Sequence, residues 1–234
     1  MEKDNIKELI ERAEAGDAEA QYRLGVIYRD DGKKFYKQAV EMFEKAAAQG
    51  DAEGLNELGE MYYHGEGVKQ DYAKAFDLFM KSAEHDYGYA WENLGEMYYY
   101  GDYVEQDYKK AFGLYEKAAD DGDGSVYAVY MVGYMYYHGE GVEQNYEKAF
   151  EWLTKENMKY WDDAQSLLGC MYYFGNGVEQ NYEKAFELLE EAASKGEAEA
   201  QMLLGLMYLK GDGVKKDEEK GKILIEEGLG QIKS

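Results

Sequence analysis

The side chains able to do chemistry in this 234-residue chain are 49 carboxylates, three histidines (His64, His85 and His138) and one cysteine, Cys170. Carboxylates this dense occur on every charged stretch, so a pair of them does not mark acid–base catalysis, which needs two whose environments differ. His64 and His138 occupy the same place in a pattern that recurs along the chain, two units apart and too far to share a metal. Cys170 stands where other units carry Val26, Glu60, Glu96, Tyr134 or Leu206, and no histidine of its own unit could activate it. There is no Walker loop, no dinucleotide fingerprint and no His-Glu-x-x-His. These absences argue against an enzyme, and no catalytic residue, metal or cofactor is expected. Against the 49 acids stand 26 Lys plus Arg, a net charge of −23, which argues against nucleic acid or anionic lipid as a direct partner. A basic protein or peptide fits better. One cysteine forms no internal disulfide, the start Met1-Glu2-Lys3-Asp4 is charged, and no apolar run approaches the ~18 residues of a membrane span. The expected location is the cytoplasm.

The elements that would carry these groups follow from self-similarity. The dipeptides Leu24-Gly25, Leu58-Gly59, Leu94-Gly95, Val132-Gly133, Leu168-Gly169 and Leu204-Gly205 recur at steps of 34, 36, 38, 36 and 36 residues. Each Leu or Val follows a small residue by four: Ala20, Gly54, Ala90, Ala128, Ala164 or Ala200, taken as position 1. Tyr28, Tyr62, Tyr98, Tyr136, Tyr172 and Tyr208 fall at position 9. Positions 1, 5 and 9 line one face of a helix, widened by Met at position 8. Gly at position 6 costs roughly 1 kcal/mol in a helix and is expected where a neighbouring helix comes close. Turns such as Gly65-Glu66-Gly67-Val68 and Gly175-Asn176-Gly177-Val178 end this helix. Asp71, Asp107, Asn145, Asn181 and Asp217 then cap a second one, whose Lys-Ala-Phe pattern points Ala and the aromatic inward. Such a hairpin cannot bury its own apolar face, so neighbours must stack.

The unit Ala-x-x-x-Leu-Gly-x-x-Tyr-x-x-Gly-x-Gly-Val-x-x-Asp-x-x-Lys-Ala resembles the Sel1-like repeat, a relative of the tetratricopeptide repeat. The resemblance implies an all-α fold, an α/α solenoid superhelix of six helix-turn-helix repeats, and a role as an adaptor that holds other proteins together; some members are secreted bacterial factors. Hydrolase activity has been claimed for disulfide-bridged members, from which the single cysteine separates this chain. One domain over 1–234 is expected, with thirteen helices: a capping helix within 1–15, repeats over 16–230 and a tail at 231–234. Gly228 and Gly230 are expected to stop the last helix. Departures from the pattern are Asp31-Gly32-Lys33-Lys34 in place of the first turn, Tyr103 in place of a turn glycine, Lys155-Glu156-Asn157 at the end of the fourth repeat, and the longer connection Asp121-Gly122-Asp123-Gly124-Ser125.

With positions 1, 5, 8 and 9 in the core, positions 3, 7, 10 and 11 of the first helices would face a concave groove. That face gives Glu60, Tyr63 and His64 in the second repeat, and Glu92, Glu96, Tyr99 and Tyr100 in the third. The fourth gives Tyr130, Tyr134, Tyr137 and His138, and the fifth gives Tyr173 and Phe174. Two readings of Tyr63, Tyr99, Tyr137 and Tyr173 stay open: packing on the hairpin's own second helix, or a tyrosine ladder beside acidic groups that receives a partly basic segment. The expected function is a non-catalytic interaction scaffold, monomeric, that binds a protein segment in this groove. The alternative is an acidic decoy that occupies a basic protein through convex second-helix acids such as Glu183, Glu187, Glu190 and Glu191. The charge itself makes a prediction: screening by ~0.2 M neutral salt should raise the melting temperature. A fall would show that specific ion pairs outweigh self-repulsion.

Overall fold

The computed structural model describes residues 3–120, 125–155 and 158–232, and the described residues form thirteen α-helices with no strand. They pack as two compact units, 1–125 and 126–234. The first holds α1 (Lys3–Glu14), then the hairpins α2–α3 (Ala18–Asp30, Tyr36–Ala47), α4–α5 (Ala52–His64, Tyr72–Ala83) and α6–α7 (Gly88–Tyr100, Tyr108–Asp120). The second holds α8–α9 (Val126–His138, Tyr146–Leu153), α10–α11 (Asp162–Phe174, Tyr182–Ser194) and α12–α13 (Ala198–Lys210, Glu218–Ile232). The fold is the expected six-repeat α/α solenoid with α1 ahead of the first hairpin.

Each hairpin is held by the same few contacts. Met61 accepts the backbone N–H groups of Gly65 and Glu66, with Gly65 left-handed at φ 71°, and the same closure recurs at Met97, Met135, Met171 and Met207. The side-chain amide of Gln70 donates to the Tyr63 carbonyl at 2.8 Å and satisfies one more orphan acceptor; Gln106, Gln144 and Gln180 do the same for Tyr99, Tyr137 and Tyr173. The second helices start where expected: Asp71, Asp107, Asn145, Asn181 and Asp217 accept the N–H of the Lys three residues on, at 2.9–3.0 Å. In the first repeat the missing glycine turn is replaced by a 3-10 turn at Lys33–Phe35. Tyr103 keeps the left-handed conformation of the glycine it replaces, at φ 68°. Part of the connection after α7 (121–124) and part of the fourth repeat's end (156–157) lie outside the described residues.

The core is built twice over from one motif. Ala at position 1, Leu or Val at position 5 and Met at position 8 are buried wherever they occur. Position 9 is shared between hairpins. The Lys74 ammonium lies 3.9 Å from the centre of the Tyr62 ring in its own hairpin, while Phe76 meets Tyr98 of the next one edge-on at 6.0 Å. The second unit repeats this with Lys184 on Tyr172 and Phe186 against Tyr208. The Lys-Ala-Phe pattern therefore joins neighbours as well as partners.

The glycines of position 6 lie against the second helix of their own hairpin. A Cβ on Gly59 would fall 2.5 Å from the Phe79 ring, which is itself fully buried. The last helix corrects the expectation that Gly228 and Gly230 end it: α13 runs through both to Ile232. Gly221 and Gly228 are contact residues, since a Cβ on either would come 2.7 Å from a backbone carbonyl of α12, on Gly205 and Ala198 respectively. A small residue is required there for packing, and the helix continues past it.

Gly59→Ala should therefore destabilise the protein by about 1–3 kcal/mol in urea unfolding, because the buried Phe79 ring cannot yield. Gly113→Ala, on the exposed face of α7 with nothing within 4 Å of the added methyl, should instead stabilise by up to about 1 kcal/mol. Equal effects at the two sites would show that helix propensity, and not helix–helix approach, governs these glycines.

Candidate functional site

Position 10 lies one helical turn beyond the glycine of position 6, so its side chain points along the edge that meets the second helix. The structure shows the consequence. Tyr63, Tyr99, Tyr137 and Tyr173 each sit against the tyrosine that opens their own second helix, with ring centres 5.0–5.3 Å apart for Tyr72, Tyr108, Tyr146 and Tyr182. Their hydroxyls reach the turn of the following repeat. Tyr63 donates to the Asp102 carboxylate at 2.5 Å and Tyr173 to that of Asp212 at 2.8 Å, while Tyr137 accepts from the Asn176 amide at 3.2 Å. Burial, with the Asp102 hydrogen bond behind it, pushes the Tyr63 phenol above its ordinary range. Tyr173 is only 5% exposed. In the first repeat Arg29 takes position 10 and again reaches forward, donating to the Glu57 carboxylate. Position 10 ties one repeat to the next.

Position 11 stands clear. Tyr100 and Phe174 are 58% and 57% exposed, His64 and His138 are exposed, and all four meet the preceding tyrosine edge-on at 4.9–5.0 Å. His64 Nε2 donates to the Glu60 carboxylate at 3.2 Å, a hydrogen bond that holds the imidazole above its ordinary pKa. Glu96 is half-buried and lies close enough to act on both Tyr63 and His64.

Each unit carries one cleft on its first-helix face. In the first unit a cleft of 380 Å³ brings together Glu60, His64 and Glu92 with Tyr22, Glu57, Tyr87 and Tyr89. Its floor is polar: Asn93 donates to Asn56 at 3.0 Å, both buried, beside the Arg29–Glu57 pair. Burial raises the Glu57 carboxyl despite the neighbouring guanidinium. In the second unit a cleft of 420 Å³ is lined by Tyr130, Tyr134 and His138 of α8 and by Asp163, Ser166, Glu197 and Glu199 of α10 and α12. Tyr63, Tyr99, Tyr100, Tyr137, Tyr173 and Phe174 line neither cleft.

Sequence reasoning missed Tyr89, Asp163 and Glu199, all at position 0, and Tyr87 and Glu197 two residues earlier. The signal was present, because position 0 lies seven and eleven residues before positions 7 and 11 and shares their face.

The clefts suit cations. Acidic and aromatic groups alternate around them, with fixed negative charge beside ring faces. Nucleophilic chemistry is not set up, since burial pushes the Cys170 thiol up to about 12 and leaves it protonated at neutral pH. Among the described residues no three His, Cys, Asp or Glu side chains are grouped to hold a metal, and no helix is long and apolar enough to cross a membrane.

Six matches to the Sel1 repeat tile the chain, at residues 18–51, 52–87, 92–123, 126–155, 162–197 and 198–228. Among solved structures the chain is similar to a protective antigen of uropathogenic Escherichia coli with an SLR fold, at 34% identity and TM-score 0.78, over 95% of this chain and 48% of that one. This chain thus spans about half the antigen's length. A Sel1 repeat protein from Oxalobacter formigenes matches at 28% identity and TM-score 0.74, over 89% of this chain and 84% of its own. An immunity protein from Pseudomonas aeruginosa shares the fold at 23% identity and TM-score 0.53, over 91% and 81%. A search of curated proteins returns no match. Six matched repeats and the hairpins that realise them place the chain in one family: it belongs to the Sel1 repeat proteins.

Proposed function

We propose that this protein is a non-catalytic scaffold that binds a partly basic protein segment on the first-helix faces of its repeats. Sel1 repeat proteins generally mediate protein–protein interaction. The finer reading is supported above all by the first-helix face of the first unit, where Glu60 and Glu92 stand in one cleft with Tyr22, Tyr87 and Tyr89. Lys or Arg side chains entering there would find ring faces and carboxylates together, a combination that gains affinity and orientation from the same residues. Tyr100 and Glu96 lie on the same first helix as Glu92 and extend the surface offered to a segment.

Partners captured from native lysate at low and high salt, identified and then titrated against variants, test the reading. Glu60→Lys with Glu92→Lys should weaken binding by at least tenfold and reduce its salt dependence. Tyr100→Ala, whose ring is largely exposed, should cost about 1–3 kcal/mol of affinity with little change in melting temperature. Tyr63→Phe should do the reverse: it removes the bond to Asp102, lowers stability by about 1 kcal/mol and leaves affinity unchanged. Retained affinity in the charge-reversed variant, with loss in Glu187→Lys on the exposed face of α11, would overturn the proposal in favour of the acidic decoy.

A further inference from the structure

The cleft of the second unit carries a feature that the scaffold reading does not use. Ser166 is only 5% exposed, its Oγ is buried, and it has no hydrogen-bond partner among the described residues. A buried hydroxyl without a partner costs about 1–3 kcal/mol of desolvation. Replacement by alanine would remove that cost, so the fold has no use for the oxygen. It lies in the wall of the cleft that Tyr130, Tyr134, Asp163, Glu197 and Glu199 also line. The lining residues include three carboxylates and no Lys or Arg. Glu197 and Asp163 are hydrogen-bonded neighbours, and burial followed by the Asp163 charge holds the Glu197 carboxyl above its ordinary range. Across from them Tyr130 and Tyr134 stand 5.9 Å apart, ring centre to ring centre, and His138 continues the row 4.2 Å from Tyr134.

We propose that this cleft is a receptor for a single arginine side chain of a partner protein segment. The assignment rests on the reading that the first-helix faces bind a basic segment, and it names the residue that one of them takes. A guanidinium is planar and carries five N–H donors. One edge meets the adjacent carboxylates of Asp163 and Glu197, another N–H reaches Ser166 Oγ, and the plane lies on the tyrosine row. Lysine offers a compact ammonium with three donors and no stacking plane, so it satisfies fewer of these groups at once. A peptide-borne arginine is favoured over the free amino acid, because the α-carboxylate of free arginine would enter a site that already holds three negative charges.

The test uses the full chain, 15N-labelled, titrated with N-acetyl-L-argininamide and followed by amide chemical shifts. Saturable shifts centred on Ser166, Asp163 and Glu197 are expected. N-acetyl-L-lysinamide and free L-arginine should bind at least about threefold more weakly, and the isosteric, uncharged N-acetyl-citrullinamide should not bind. Asp163→Asn with Glu197→Gln should weaken argininamide by about tenfold or more, and Glu187→Gln should leave it unchanged. Ser166→Ala is the discriminating variant, expected to keep or raise the melting temperature while weakening argininamide about threefold. Equal binding of the citrulline or lysine compound would overturn the guanidinium assignment, and tighter binding of free arginine would overturn the peptide source. Unchanged affinity in Ser166→Ala would remove the serine from the site. Absence of argininamide shifts in a chain that still captures its partner through Glu60 and Glu92 would overturn this receptor alone and leave the scaffold reading standing.

Discussion

Everything in these repeats hangs on how closely the two helices of a hairpin approach. At Gly59 there is no room for a single methyl group against Phe79, and at Gly205 and Gly221 two backbones touch through glycines on both sides. A helix that gives up a Cβ at position 6 loses propensity and backbone restraint, a cost near 1 kcal/mol for each hairpin. It gains a short interaxial distance and a full set of contacts along both helices. Once that distance is set, the rotation of the first helix is set with it. Position 6 faces the partner helix, position 10 one turn later meets the partner's first residue, and positions 0, 7 and 11 are left on the side that no helix covers.

This explains why the tyrosines most suggestive in the sequence are not the ones that line the clefts. Tyr63 and Tyr173 spend their rings on Tyr72 and Tyr182 and their hydroxyls on Asp102 and Asp212. A tyrosine suits that role because it couples an apolar plate to a terminal hydrogen bond about one side chain away, long enough to span from one turn to the next. Arg29 replaces the plate by a guanidinium and still ends on the neighbouring repeat, at Glu57. The length of the side chain matters more than its chemistry at this position.

The repeat period, the caps at Asp71 and Asn181 and the close glycine were legible because each depends on contacts within about one hairpin, where spacing alone fixes geometry. The direction of position 10 was legible in principle from the glycine four residues before it. It stayed open because identical spacing also serves a groove, and only the angle between the helices decides. Gly228 misled for a related reason: glycine ends helices through its backbone freedom and mends close packing through its missing Cβ, and sequence does not separate the two. The Asp163–Glu197 neighbourhood was harder still, since the two residues come from different repeats and meet only through stacking.

The distribution of the acids carries the last step. Carboxylates such as Glu183, Glu187 and Glu190 on α11 are exposed and cost nothing to keep charged, so solubility accounts for them. Glu57 and Glu197 differ, because burial holds both above the ordinary carboxyl range and makes their charge unfavourable in the protein by itself. Glu57 is answered inside the fold by Arg29. Glu197 has Asp163 as its neighbour, which raises the cost and does not relieve it. A cation arriving from outside reverses the sign of that interaction for both carboxylates at once, and the same low-dielectric surroundings that penalise the bare pair strengthen the attraction to a guanidinium. Stability given up in the isolated chain thus becomes affinity for a positively charged partner, which is why a poorly compensated pair of acids beside an unpaired serine points outward to a ligand.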